Sequence, residues 1–302
     1  MLYYVIFIVI LILILLIIYV YNKSCTTYEN YDNIKVDIGN VLSLYYYTLV
    51  RSILKKEDFN FSHNDAFMSE FPKFIKWDEK MYNELIKNNI SIDDIINIGA
   101  NAFWHIHEHK LEQIHFIMKP TIHQILDDTF KKLNLKKEIK FPIIHFRCAD
   151  TPFMKSGHYY FQKYSYFDNA FKALQDKIGK FTDVTILACF DHLSNNEDKT
   201  ACSTYATKLK EHLNKYNIHI ECNSNVDDFV SMFYAPAVIS TISSFSFMSG
   251  FFGKGIYIQP NMMLSDVEVC LDCDNPYKGY NIPHNKVNDY HNVDEVYKLL
   301  IE

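Results

Sequence analysis

The chain has 302 residues, enough for one large domain or two small ones. Hydrophobic residues make up 49% and charged residues 22%, the balance of a folded protein. A net charge of -6 argues against general nucleic-acid binding, because following a phosphate backbone needs an excess of Lys and Arg; a local basic pocket remains open.

Residues Met1 to Tyr21 carry no charged side chain and are almost all Ile, Leu, Val, Phe or Tyr. At about 1.5 Å per residue such a helix crosses a hydrocarbon core of roughly 30 Å. Tyr3, Tyr4, Tyr19 and Tyr21 stand at its ends, where amphipathic rings favour the interface. A cleaved signal peptide would show a basic leading region, a shorter apolar run and a small-x-small site, so residues 1–21 are expected to be an uncleaved membrane anchor. Lys23 follows the span and no Lys or Arg precedes it, which by the positive-inside tendency favours a cytosolic body. Residues 22–32 are polar and read as a stem.

The body divides by pattern. Residues 33–137 read as a mainly helical lobe: a short strand over Ile34–Ile38, then helical spacing over Val41–Lys56 and Asn101–Lys132. Pro120 is expected to end or kink the second helix. From Glu138 apolar runs alternate with helical ones over residues 138–302. The strand candidates are Phe141–Phe146, Val184–Phe190, Ile218–Cys222, Ala237–Ile242 and Gly255–Gln259. The helix candidates are Phe167–Phe181, Lys199–Lys215, Val226–Tyr234, Phe245–Phe252 and Val293–Ile301. Apolar strands separated by amphipathic helices imply an α/β fold with a parallel sheet covered on both faces. Ligands of such sheets bind beyond the carboxyl ends of the strands.

Four constellations fall at such ends. His145-Phe146-Arg147-Cys148-Ala149-Asp150 follows a strand candidate; by alternation His145 and Arg147 share a face, and a guanidinium there can grip a diphosphate through paired hydrogen bonds. An Arg–Asp ion pair at a strand end is the plainer alternative. Ser240-Thr241-Ile242-Ser243-Ser244-Phe245-Ser246-Phe247 joins a strand to a helix, and hydroxyls with free N–H groups at a helix start suit an anion; capping by Ser243 or Ser244 is the alternative, and the two are compatible. Asp37-Ile38-Gly39-Asn40 ends the first strand candidate and opens a helix, where glycine permits close approach of a ligand or merely a turn. Asp227-Asp228 opens a helix, where acidic charge is favourable and a carboxylate can also accept hydrogen bonds from a guanine edge.

Other clusters read as incidental. His105, Glu108 and His109 lack the H-E-x-x-H order, and Asp272-Cys273-Asp274 lies away from the strand ends, so no metal site is expected. Neither a phosphate-binding Walker loop nor G-x-G-x-x-G occurs. Seven cysteines form no dense framework; Cys270 and Cys273 make one C-x-x-C, but His284 and His291 miss zinc-finger spacing. Free thiols, or one disulfide if the body is lumenal, are expected. Sequons occur at Asn22, Asn60 and Asn89 and matter only in a secretory lumen.

Taken together, an early G-N, then H-x-R-x-x-D, then S-S-F-S resembles the inverting fucosyltransferase superfamily, nearest to its α-1,2 group. Gly39-Asn40 followed by Leu44-Tyr45-Tyr46-Tyr47 matches the early motif and its aromatic-rich helix. Asp228, Met232, Ala235 and Ile242-Ser243-Ser244-Phe245-Ser246-Phe247 match the late one in order. The resemblance spans roughly Lys35 to Pro260. It implies a GT-B-like fold of two Rossmann-like lobes behind the transmembrane helix, with residues 33–137 on the acceptor side and 138–302 binding the donor. It implies GDP-fucose as donor substrate, a glycan hydroxyl as acceptor, inversion at the anomeric carbon, no metal or other cofactor, and anchorage in Golgi or ER membrane with the body in the lumen, against the single Lys23, so the orientation stays open. By carry-over Arg147 holds the diphosphate and His145 lines its pocket. Asp228 meets guanine, Ser243, Ser244, Phe245 and Ser246 meet phosphates and base or sugar, and Gly39 and Asn40 face the donor from the other lobe. Asp37 and Asp150 are the candidate bases. The family's second Arg is Cys148 here, its Gly is Ala149, its Gln is Val41 and its paired Trp is Phe247-Met248. These departures leave room for another nucleotide sugar, or for a catalytically silent binding protein on the same fold.

Overall fold

The computed structural model describes residues 38–259 apart from 65–66, 101–102, 104–108, 148–161, 163, 191–195 and 242. The expected anchor, stem and final helix fall outside these residues; among the described residues no helix is long and apolar enough to cross a membrane.

Helix α1 (Ile38–Lys55) opens the described chain. Its apolar residues recur in pairs four apart (Val41 and Leu42, Tyr45 and Tyr46, Leu49 and Val50, Ile53 and Leu54), and all eight are buried. The helix stops where Lys56 turns left-handed at φ 60°. Glu57 N–H then donates to Ser52 O and Lys56 N–H to Ile53 O, the paired bonds of a Schellman ending. A two-stranded antiparallel pair follows, β1 (Phe59–Asn60) with β2 (Phe74–Ile75). Two short helices, α2 (Glu79–Lys87) and α3 (Ile92–Ile98), come next; Ser91 and Asp94 cap α3 reciprocally. Helix α4 (His109–Lys132) runs through Pro120, which neither ends it nor interrupts it. The proline is solvent-exposed, while Leu111, Ile114, Met118, Ile122, Leu126 and Phe130 hold the opposite face in the core.

The sheet strands are β3 (Ile143–His145), β4 (Asp183–Leu187), β5 (Asn217–Glu221), β6 (Ala237–Ser240) and β7 (Ile256–Ile258). Each of the five expected apolar runs forms one of them. Between them lie α5 (Tyr164–Ile178), α6 (Asn196–His212), α7 (Asn225–Tyr234) and the short α8 (Ser244–Ser246), which runs directly into a π-helical turn, Phe247–Phe251. All pairings are parallel and the spatial order is β5-β4-β3-β6-β7. The chain builds outward from β3 to one edge, then returns to the middle and builds to the other. The order therefore reverses between β3 and β6, the switch point of an open doubly wound sheet.

Alternation along the strands divides the core. Ile143, Leu187, Val238 and Tyr257 face a layer containing α1, α4, α7 and the π turn. Ile144, Val184, Ile186, Ala237, Ile239 and Ile258 face α5 and α6. Asp127, buried in α4, accepts from Tyr234 OH (2.8 Å) and pairs with Lys131 (2.6 Å) and Lys254 (3.7 Å), joining α4 to α7 and to the approach to β7. The described residues before β3 form helices and one antiparallel pair. Of the two Rossmann-like lobes expected, the described residues show one parallel sheet, with the helical segment packed directly on its face.

Candidate functional site

The switch point is built by backbone first. His145 is paired in register with Ser240, and just beyond them Thr241 N–H donates to His145 O at 3.2 Å. The Thr241 hydroxyl donates to the same carbonyl at 3.2 Å and accepts from Arg147 N–H at 2.9 Å. Thr241 thus roots Arg147 beside the crevice that opens between β3 and β6. The His145 ring lies 5.5 Å from the ring of Phe245. Its Nδ1 is buried with no hydrogen-bond partner among the described residues. Burial, and after it repulsion from the Arg147 guanidinium, pulls the imidazole down to about 3. His145 is therefore neutral at ordinary pH, and Arg147 supplies the positive charge at this point of the crevice.

The serine turn meets the start of α1 across 204 residues of sequence: Ser244 Oγ donates to Asn40 Oδ1 at 2.9 Å. Gly39 lies flush against the same turn, where a Cβ would stand 2.4 Å from Phe245 N and 2.6 Å from Phe245 Cα. The helix begins at Ile38 rather than Val41, so Gly39 and Asn40 occupy its first turn instead of closing a strand. Their close approach is to protein backbone. Ser243 caps α8, its Oγ accepting from Phe245 N–H at 3.2 Å. Ser246 is fully buried and its Oγ is shared with Ser240 Oγ (2.6 Å) and Ser243 O (3.2 Å). Ser246 holds the turn in shape from beneath. The carbonyl of Ser240 is fixed in its turn by Tyr166 OH at 2.6 Å. The π-helical turn that follows belongs to a class of backbone irregularity common at functional sites.

Asp228 lies in the first turn of α7, at the carboxyl edge of β5, and is buried. Its neighbour Phe229 touches Phe245, with centroids 5.3 Å apart, which links this corner to the serine turn. Asn223 Nδ2 donates to Asp228 Oδ1 at 3.0 Å. Desolvation raises the Asp228 carboxyl above the ordinary aspartate range despite that bond. Asp227 faces outward, takes Lys137 at 2.9 Å, and is held low by Ser224 and then by that lysine. A disulfide, Cys189–Cys222, ties the carboxyl ends of β4 and β5 beside Asn223.

No protein-family model, curated protein or solved structure matches the chain.

Of the expected site residues, the structure brings together His145, Arg147, Ser243, Ser244, Phe245, Gly39 and Asn40, with Ser246 beneath and Asp228 two strands from β3, at the end of β5. Asp37 and Asp150 lie outside the described residues, as do His105, Cys148, Ala149, Cys270 and Cys273. Asn223 and the cysteine pair were not singled out, and Thr241 stood only within the serine constellation, with no role of its own. The signal for the pair was present: each cysteine closes an apolar run, and neighbouring parallel strands bring such positions side by side. Chemically, the crevice offers the guanidinium of a residue whose backbone is fixed, a neutral imidazole with an unfilled ring nitrogen, and two helix starts, an arrangement suited to an anionic ligand with an uncharged portion.

Proposed function

We propose that the chain is a glycosyltransferase that takes fucose from GDP-fucose and passes it, with inversion, to a glycan hydroxyl. One observation carries the reading: three motifs far apart in sequence converge at the switch point of a parallel sheet, where open α/β folds bind nucleotides. Arg147 is the residue proposed to hold the departing diphosphate, with the helix starts at Gly39 and Ser243 sharing that load. His145, being neutral, contributes a hydrogen bond through Nδ1 rather than charge. Asp228 and Asn223 together form the polar corner proposed to take the guanine edge. Ser246 acts by holding the turn, so its replacement perturbs binding through shape. The helical layer carrying α1 takes the place of a second lobe on the acceptor side. An oxocarbenium-like transition state lowers the demand for a strong base.

The test is thermal stabilisation of residues 22–302 by GDP, UDP, CMP and GDP-fucose, with Arg147→Ala as control. Binding to the native state at 100 times Kd adds about 2.7 kcal/mol. A rise in Tm with the GDP species alone, lost in Arg147→Ala, supports the reading. A shift with UDP alone turns it to another sugar donor. GDP binding without release of GDP from GDP-fucose, over a panel of glycan acceptors, turns it to the silent binder that Cys148 allows. No shift with any nucleotide sinks the site.

A further inference from the structure

Two features point to one cellular side. The first is the Cys189–Cys222 disulfide, with Cα atoms 4.8 Å apart on neighbouring strand ends. Cys202, wholly buried in α6, is disulfide-bonded as well. Reducing compartments hold such pairs as thiols, whereas secretory lumens hold them oxidised. The second is the placement of two sequons. Asn60-Phe61-Ser62 runs out of β1 with Asn60 and Ser62 exposed; the asparagine amide makes one long bond, to Asp58 O at 3.4 Å. Asn89-Ile90-Ser91 joins α2 to α3 with Asn89 and Ser91 exposed. Asn89 has φ 57° and ends α2, with Ile90 N–H donating to Leu85 O and Asn89 N–H to Ile86 O. A left-handed helix end favours asparagine on its own account, but nothing in the backbone asks for asparagine at Asn60.

We propose that the body of the chain folds in an oxidising secretory lumen and carries N-linked glycans on Asn60 and Asn89. In each transfer the amide nitrogen bonds to the anomeric carbon of a lipid-linked oligosaccharide. The bond from that carbon to the lipid diphosphate breaks, the diphosphate leaves, and the amide loses one proton. In the disulfide step two thiols give up two protons and two electrons to a disulfide oxidant of the lumen, which becomes a dithiol. At Asn89 the order of events is set by the fold. Ser91 Oγ donates to Asp94 Oδ2 at 2.7 Å in the finished cap, so the sequon is recognised before α3 closes over its serine.

The experiment uses the full chain, made in eukaryotic cells, with Asn22→Gln to silence the third sequon. Two endoglycosidase-sensitive steps in gel mobility are expected, one lost in Asn60→Gln and the other in Asn89→Gln. Both variants keep the Ser91 cap, so neither result depends on refolding α3. A chain whose mobility endoglycosidase leaves unchanged overturns the proposal, and a single step overturns it for the asparagine whose variant changes nothing. A second arm alkylates thiols before and after reduction. A linked Cys189–Cys222 peptide that appears only without reduction is expected; alkylation of both cysteines without reduction overturns the lumenal placement.

Discussion

At Gly39 the smallest possible change is already too large. Gly39→Ala would put a methyl group 2.4 Å from a backbone nitrogen that cannot rotate away. The variant is expected to lose about 1–3 kcal/mol by forced separation of α1 from the serine turn, read as a lower denaturation midpoint. Stability equal to the parent would mean that the two segments are not in contact. His145 makes a different kind of test. In the unfolded chain it takes up a proton near pH 6.5, in the folded chain near about 3. Between those values the unfolded state binds more protons, so this component of stability is lost as pH falls below about 6.5. His145→Gln should therefore flatten the fall in stability on acidification, by up to about 1.4 kcal/mol per pH unit. Parallel curves for parent and variant would show that the folded imidazole protonates freely. Residue chemistry was the part of the site most open to reading from sequence: Arg147 and Ser243 stand where a strand end and a helix start put them. What Ser246 does was not readable, because its neighbour Ser240 is fixed by a tyrosine from another helix, Tyr166.

Among the elements, the central strands announced themselves: β6 is buried on both faces and so reads as a continuous apolar run, whereas the edge strand β5 is exposed except at Ile218. The small pieces α2, α3, β1 and β2 did not. They are stabilised by caps and by packing on α1, and a two-residue strand has no period to detect. Pro120 does not end its helix for a related reason: propensity is a local rule, and the buried face of α4 outweighs the one bond that proline removes. Asp127 is the joint that tests how these elements hold one another. Burial raises its carboxyl, but Lys131, Tyr234 and Lys254 outweigh that and hold it below the ordinary aspartate range. Its contribution is present above the unfolded pKa and lost as pH falls through the lower folded value. Asp127→Ala leaves the nearly buried Tyr234 hydroxyl without its acceptor and should cost about 1–3 kcal/mol. Urea titration of the variant checks this; a midpoint unchanged from the parent would show that α4 and α7 are held without the joint.

For the molecule as a whole, the Cys189–Cys222 link closes a loop of 33 residues that contains α6 and β5. Reduction of this link should release about 2–4 kcal/mol of stability, seen as a drop in Tm with dithiol reductant that is smaller in Cys189→Ser with Cys222→Ser, where only the disulfide at Cys202 remains to be reduced. A Tm indifferent to reductant in the parent would mean that the link is absent in solution. The order β5-β4-β3-β6-β7 was not written in any one segment, since it depends on which strands lie side by side; only the run of strand and helix was. The contact between Gly39 and Phe245 has one more consequence, in time rather than in space. A ribosome issues α1 early and the serine turn about 200 residues later. At roughly 5–20 residues per second α1 must wait on the order of ten seconds or more for the surface it is shaped to meet. Through that interval Tyr46 lacks its ring partner Phe252 and Gly39 the backbone of Phe245, which leaves part of this helix's apolar face open during synthesis. Truncation before the turn should yield a chain that aggregates rather than a smaller folded body.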